Sequence, residues 1–445
     1  MPSSHPLPDG VSRRSMIAGA AALAGTAATA RTAQAAPATG SATAAADGSG
    51  TSGGPVVFRN VRPYGAAEAV DLTVVDGKFS DRPAPEGAEV VDGGGLIALP
   101  TLVNAHVHPD KTTWGGKWVT RRPADGIADY AEQDVELYRS QDRSVGERAH
   151  GLMAHAVATG TRAMRAHADV APEYDLACAE GVAEAGKRLR HALDLQIVAF
   201  PQHGVIRKPG TAELLEEAAR TGLVDMIGGI DPISFDQASD EQLDLVFGLA
   251  DRHGVGLDIH LHDRGQDGLK PLRDIIDRTR ALSLRGKVTV SHVFCLPGLD
   301  DRELGALAED MGELDISLTT VAPSESTVLP VARLREHGVA VGLGTDGVRD
   351  AWSPFGNGDM LHRTHQLGLI TDVRLDEELD DCHRVGADGG SDVMHLPKVD
   401  FKPGDPADFY LVRGECVPQI VIDLPDRAMV VHGGRVVGRD GEPVG

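Results

Sequence analysis

The sequence is poor in cysteine, in aromatic residues and in positive charge, and each shortage narrows the class of protein. Its 445 residues include four widely separated cysteines and no CxxC pair, so neither a cysteine zinc site nor a dense disulfide framework is indicated, although one or two disulfide bonds remain possible. The formal net charge of -23 argues against nucleic acid as a partner, because phosphate binding needs clustered lysine and arginine. With 41% hydrophobic residues, 4% aromatic residues and 53 glycines, the composition fits an α/β enzyme.

A long apolar run is also missing, and this bears on the N-terminus. Arg13 and Arg14 precede a short, weakly hydrophobic stretch rich in Ala and Gly, and a small-residue cleavage motif follows it. This arrangement resembles a twin-arginine export signal, so residues 1–35 are predicted to be a signal peptide and residues 36–54 a disordered linker. The stretch is too short for a stable membrane anchor, and the protein is expected to be secreted in folded form.

Beyond residue 54, the chain has short β-strand patterns at both ends and a long middle in which strands and helices alternate. Residues 55–98 and 401–445 are predicted to form one small β-sandwich, and residues 99–400 a (β/α)8 barrel, since about eight βα units fit that length. The barrel strands are predicted at 99–106, 160–170, 194–202, 224–230, 255–262, 287–292, 315–321 and 339–346.

Polar residues that suit metal chemistry stand at the C-terminal ends of these predicted strands. His106 and His108 alternate on the first strand and therefore project to the same side of it. His260 ends the fifth strand and Asp346 the eighth, so the barrel would bring three imidazoles and one carboxylate together. This set suits one divalent zinc or iron ion with an open position for water, whose pKa the metal lowers towards neutrality.

Several longer stretches make the resemblance specific. Together with the strand ends, the stretches 160–170, 194–202, 288–292 and 346–356 resemble the amidohydrolase superfamily, and within it the cytosine deaminase branch. The resemblance implies roles for eight residues. They are four metal ligands (His106, His108, His260 and Asp346), two catalytic residues that handle protons (Asp263 and His292) and two substrate-binding residues at the ring and the pocket wall (Gln202 and Trp352).

Two positions depart from the cytosine deaminase pattern. Asp263 stands where that branch has a proton-shuttling glutamate, and its shorter side chain needs a shifted substrate or a bridging water. Gly347 stands where the branch has an aspartate that contacts the leaving amino group, so a larger pocket is expected. His262 is expected to point to the opposite side of strand five from His260 and to serve in packing or in a supporting hydrogen bond. Because no lysine ends the fourth strand, one metal ion is expected rather than two.

Together these features predict a secreted, metal-dependent hydrolase that acts on non-peptide C–N bonds. The favoured reaction is hydrolytic deamination of a cytosine-like nitrogen heterocycle, a small-molecule substrate. The alternatives are N-dealkylation or ring-opening amide hydrolysis of a related heterocycle such as a triazine, a pterin or a cyclic amide, and a barrel that binds metal or ligand without turnover. A homo-oligomer is possible by analogy with the family.

Overall fold

The computed structural model describes residues 54–444. The predicted signal peptide, and the predicted linker up to residue 53, lie outside the described residues. Among the described helices, none is both long and apolar enough to cross a membrane. All four cysteines fall within the described part of the chain and are free thiols.

The described part of the chain begins with five short strands. They are β1 (Val56–Pro63), β2 (Val70–Val75), β3 (Lys78–Ser80), β4 (Glu89–Asp92) and β5 (Ile97–Pro100). After the barrel, the C-terminal segment adds β14 (Phe409–Val412), α12 (Val417–Asp423), β15 (Arg427–His432), β16 (Arg435–Arg439) and β17 (Glu442–Pro443). β14 pairs with β5, so strands from both chain ends form one nine-stranded sheet. Its apolar core also draws on both ends, as in the edge-to-face contact of Phe58 with Phe409 at 5.0 Å between ring centroids.

The middle of the chain forms eight parallel strands in sequence order. They are β6 (Leu102–Val107), β7 (Thr161–Asp169), β8 (Asp194–Phe200), β9 (Met226–Ile230), β10 (Gly256–His260), β11 (Val288–Ser291), β12 (Ser317–Thr320) and β13 (Val341–Leu343). Most of these strands are buried along their full length, because helices cover the outer face and side chains fill the inner one.

Each barrel strand is followed by one or more helices. They are α1 (Ile127–Ser140), α2 (Val145–Ala158), α3 (Ala177–Leu189), α4 (Thr211–Thr221), α5 (Ser239–His253), α6 (Gly265–Ala281), α7 (Asp301–Glu313), α8 (Val331–Glu336), α9 (Met360–Ile370), α10 (Asp376–Arg384) and α11 (Gly390–Val393), with a π-helical turn at Val385–Gly389 before α11. The predicted barrel, with a β-unit built from both chain ends, is confirmed.

The first predicted strand, 99–106, is in fact two strands. Pro100 has no N–H to donate, and the amide of Thr101 donates to the carbonyl of Asp408 in the small sheet at 3.2 Å. The apolar run is therefore divided, with β5 in the small sheet and β6 in the barrel. The predicted boundary between residues 98 and 99 falls inside β5.

The barrel closes at the position where the site is built. A parallel bridge joins Val107 at the end of β6 to Asp346 just after β13, and the amide of Asp346 donates to the carbonyl of His106 at 3.0 Å. Asp346 has a φ of 60°, which is unusual for a residue other than glycine. The closing hydrogen bond thus holds Asp346 beside the histidines of the first strand.

Candidate active site

The four predicted metal ligands meet at the C-terminal end of the barrel. Nε2 of His106 lies 3.6 Å from Oδ1 of Asp346, and Nε2 of His108 lies 3.4 Å from the same oxygen. Nε2 of His260 lies 3.4 Å from Nε2 of His108. Ligands about 2.1 Å from one tetrahedral ion stand about 3.4 Å apart, which is the size of these three separations. His106, His108 and Asp346 form one compact group of possible metal ligands, and His106, His260 and His292 form another.

The protonation of these histidines also suits a metal. Burial lowers the pKa of both His108 and His260 well below the usual value, so each imidazole is neutral at ordinary pH. Nε2 of His106 is buried and has no hydrogen-bond partner among the described residues. Neutral imidazole nitrogens without another partner are what a divalent ion requires.

A cavity of about 480 Å³ opens above this cluster. Gln202, His292 and Trp352, for which the sequence predicts substrate contacts and proton transfer, all line it. His292 has a φ of 71° and neither of its ring nitrogens has a partner among the described residues. Strained backbone and an unsatisfied buried ring are features that recur at functional sites.

Lys111 determines how Gln202 is presented to the cavity. Its Nζ donates to Oε1 of Gln202 at 2.7 Å and also lies 2.9 Å from Asp169 and 3.3 Å from Asp134. Burial alone would lower the pKa of Lys111, but the carboxylates of Asp169 and Asp134 outweigh it and raise that pKa. Because an ammonium group only donates, the Nε2 group of Gln202 is left to donate to a ligand. The Lys111 side chain is itself buried.

The wall beside Lys111 is formed by Trp352. Its ring stacks on Tyr130 with 5.2 Å between centroids, and its Nε1 donates to Asp134 at 3.4 Å. Nζ of Lys111 lies 5.5 Å from the centroid of the Trp352 ring. Trp352 is therefore held from both sides and presents a fixed aromatic surface to the cavity.

The structure does not bring Asp263 to the cavity. Its carboxylate instead accepts a hydrogen bond from the backbone N–H of Ser234 at 3.2 Å. His262 lines the cavity in its place, with its ring 4.3 Å from the ring of His292. The expectation that His262 points away from His260 is wrong, because residues two apart in an extended chain lie on the same side. Both rings line the cavity, although β10 itself ends at His260.

Asp231 holds His262 in this position. Its carboxylate lies 2.8 Å from Nδ1 of His262 and accepts from the His262 backbone N–H at 2.5 Å. Burial opposes protonation of His262, but Asp231 outweighs it and raises the pKa of the imidazole. Since Nδ1 of His262 donates its hydrogen bond to the Asp231 carboxylate, Nε2 is the ring nitrogen available to a ligand.

The fold and this cluster are those of barrel enzymes that hydrolyse bonds with a divalent ion held at the strand ends. The chain belongs to the amidohydrolase family, whose model matches residues 127–438. It is therefore a hydrolase that acts on C–N bonds.

Relatives and solved structures agree with this membership. The chain is 30% identical over 366 residues to N-isopropylammelide isopropyl amidohydrolase of a Pseudomonas species, covering 79% of this chain and 88% of the relative. The crystal structure of N-isopropylammelide isopropylaminohydrolase from Burkholderia multivorans matches with a TM-score of 0.83 and 36% identity over 88% of this chain and all of the other. The 5-methylcytosine deaminase of Klebsiella pneumoniae shares the fold, with a TM-score of 0.73 and 22% identity over 86% of this chain and 98% of the other.

Proposed function

We propose that this hydrolase removes an exocyclic amino group from a small nitrogen heterocycle of the cytosine type. The divalent zinc or iron ion for this reaction would be held by His106, His108, His260 and Asp346. The observation that carries the proposal is that these ligands open onto a cavity in which Gln202 can donate to a ring carbonyl. When bound, the ion supplies Lewis-acid activation of water at neutral pH.

Ring binding is assigned to Gln202 and Trp352. The Nε2 group of Gln202 donates to an oxygen or an unprotonated nitrogen of the ring, because Lys111 already occupies its Oε1 atom. Trp352 covers the ring from the side, where its flat surface suits a planar heterocycle. A substrate with no acceptor next to the amino-bearing carbon leaves the Gln202 donor unpaired and binds weakly.

Proton transfer is assigned to His292 and His262. Both rings line the cavity, and the unpartnered nitrogens of His292 are free to take a proton from the attacking water. His262, with its Nδ1 proton directed to Asp231, has Nε2 available to exchange a proton with the leaving nitrogen. His262 thereby takes the role that the sequence assigned to Asp263.

A second candidate reaction is the release of an alkylamine in place of ammonia. The lining of the cavity includes the apolar residues Val321, Pro323 and Phe355, and Phe355 is 79% exposed. Such a surface accommodates an N-alkyl substituent with little polar desolvation. The relative from Pseudomonas is named for an isopropyl substrate of this kind.

The proposal is tested with purified protein loaded with zinc or with ferrous iron. Release of ammonia and of alkylamine is measured on aminopyrimidinones, aminotriazinones and their N-isopropyl derivatives, with His260→Ala as the metal-site control. We expect turnover of at least one compound class by the wild type and none by the variant. Binding of these compounds without turnover of any of them contradicts the proposal.

We also propose that the protein reaches the outside of the cell through its N-terminal residues. The support for this is the paired arginines and the cleavage motif in the sequence.

A further inference from the structure

Beneath the metal-binding cluster lies a set of buried hydroxyl and carboxylate groups that the proposed reaction does not use. Oγ of Ser291 donates to Oδ1 of Asp258 at 2.6 Å and accepts from Oγ1 of Thr319 at 2.8 Å. The same Oγ lies 3.0 Å from Nδ1 of His106. All four side chains are buried away from bulk solvent.

Counting protons fixes the direction of each hydrogen bond. A serine hydroxyl has one proton and two lone pairs. Ser291 gives its proton to the Asp258 carboxylate and one lone pair to Thr319, so it can only accept from His106. Nδ1 of His106 must therefore carry a proton. In the neutral ring that metal binding requires, Nε2 is then the unprotonated nitrogen, and it is the atom that faces Asp346 at 3.6 Å.

Asp258 is itself held as an acceptor. Nη1 of Arg165 lies 3.1 Å from its Oδ2, and the same guanidinium donates to Oγ1 of Thr289 at 2.7 Å. A carboxylate paired with a guanidinium only accepts hydrogen bonds, which forces Ser291 to be the donor. The guanidinium also argues against a second metal ion shared by His106, His167 and Asp258, since the ion would face a fixed positive charge.

We propose that Ser291 and Asp258 are positioning residues that fix His106 in the tautomer and ring orientation required to bind the metal. The inference rests on the metal site of the proposed function. Without the Ser291 hydroxyl, the His106 proton can move to Nε2 and the ring can turn. Metal binding is then weaker, because His106 must first return to the tautomer and orientation that bind the ion.

The first test is Ser291→Ala, with Ser317→Ala as its matched control. Ser317 belongs to the same buried layer and shares a hydrogen bond with Thr289 at 2.8 Å, but among the described residues it makes no side-chain hydrogen bond to a ligand histidine. Zinc affinity is measured by competition with a chromogenic chelator, and the absorption spectrum of the cobalt-substituted protein reports ligand geometry. We expect zinc to bind 10- to 100-fold more weakly to Ser291→Ala, with an altered cobalt spectrum, and Ser317→Ala to behave as wild type. Wild-type affinity and an unchanged spectrum in Ser291→Ala overturn the inference.

The second test needs no variant of Ser291 or Asp258. Histidine-selective 15N NMR of the metal-free wild type, with His106 assigned from its loss in His106→Gln, reports which ring nitrogen is protonated. A proton on Nδ1 supports the inference, and a proton on Nε2 overturns it. The two proposals fail separately: a wild type that binds zinc through an Nδ1-protonated His106 but hydrolyses no substrate contradicts the proposed reaction and leaves this inference standing.

Discussion

The carboxylate of Asp350 occupies the space that a side chain at Gly347 would need. A Cβ atom at Gly347 would lie 1.9 Å from Oδ2 of Asp350, well inside contact distance. Oδ1 of Asp350 accepts from the backbone N–H of Trp352 at 2.9 Å and of Ser353 at 2.8 Å. Gly347 was expected to enlarge the pocket, but Asp350 fills that space and fixes the turn that presents Trp352.

Gly347→Ala is therefore expected to reduce both stability and activity. The added methyl group displaces the Asp350 carboxylate from its turn, which costs about 1–3 kcal/mol of unfolding free energy as in other overpacked sites. Denaturant unfolding and kcat/KM on the best substrate measure the two effects.

Asp350→Gly removes the obstacle, so the double variant Gly347→Ala/Asp350→Gly provides the control. We expect the double variant to be more stable than the sum of the single changes, because the clash exists only when both side chains are present. Additive changes in the unfolding free energy would show that the two positions do not interact.

Substitutions at the neighbouring residues His262 and Asp263 are expected to differ in their effect on proton transfer. His262→Asn is expected to lower kcat by about 100-fold or more, because it removes a proton-exchanging ring from the cavity. Asp263→Asn keeps an oxygen for the Ser234 N–H and is expected to change kcat by less than about 10-fold. Both variants should retain the metal, as measured by elemental analysis. If Asp263→Asn shows the larger loss, the role predicted from the sequence is correct and the assignment to His262 is wrong.

Lys111 is expected to matter for stability as well as for binding. Lys111→Met leaves the carboxylates of Asp134 and Asp169 buried without their cation, which costs about 3–5 kcal/mol as for other broken buried ion pairs. Lys117→Met is the matched control, since the Lys117 side chain is 93% exposed and lies 3.6 Å from an exposed Asp142. Its loss should cost no more than about 1 kcal/mol. Chemical denaturation of the two variants gives the comparison, and equal losses would contradict the argument.

Export is tested with the full chain in a bacterial host that has a twin-arginine pathway. The wild type is expected outside the cytoplasm with a new N-terminus at Ala36, as read by mass spectrometry. The double variant Arg13→Lys/Arg14→Lys should stay in the cytoplasm with its N-terminus intact. Equal export of both proteins contradicts the proposed signal.

The amino-acid sequence determined the architecture and the ligand positions of this protein. Alternating strand and helix patterns predicted the barrel, and the His106–His108 spacing placed two imidazoles on one side of a strand, because both follow from local periodicity. Even so, the run from Leu96 to Val103 did not reveal that it serves two sheets. Only the pairing of β5 with β14 shows that the first part of this run belongs to the small sheet and not to the barrel. That pairing joins residues about 310 positions apart.

Tertiary structure alone decided which partners hold the polar residues of the site and which ring nitrogens carry protons. His262 lies on the same side as His260, as strand alternation requires, but the hydrogen-bond partners of His262 and Asp263 are Asp231 and Ser234 in the loop after β9. Likewise, the proton on His106 follows from Ser291 and Asp258, which lie on two other strands. The local sequence determines the position of a side chain on its strand. Its hydrogen-bond partners, and therefore its chemistry, come from residues that only folding brings within hydrogen-bond distance.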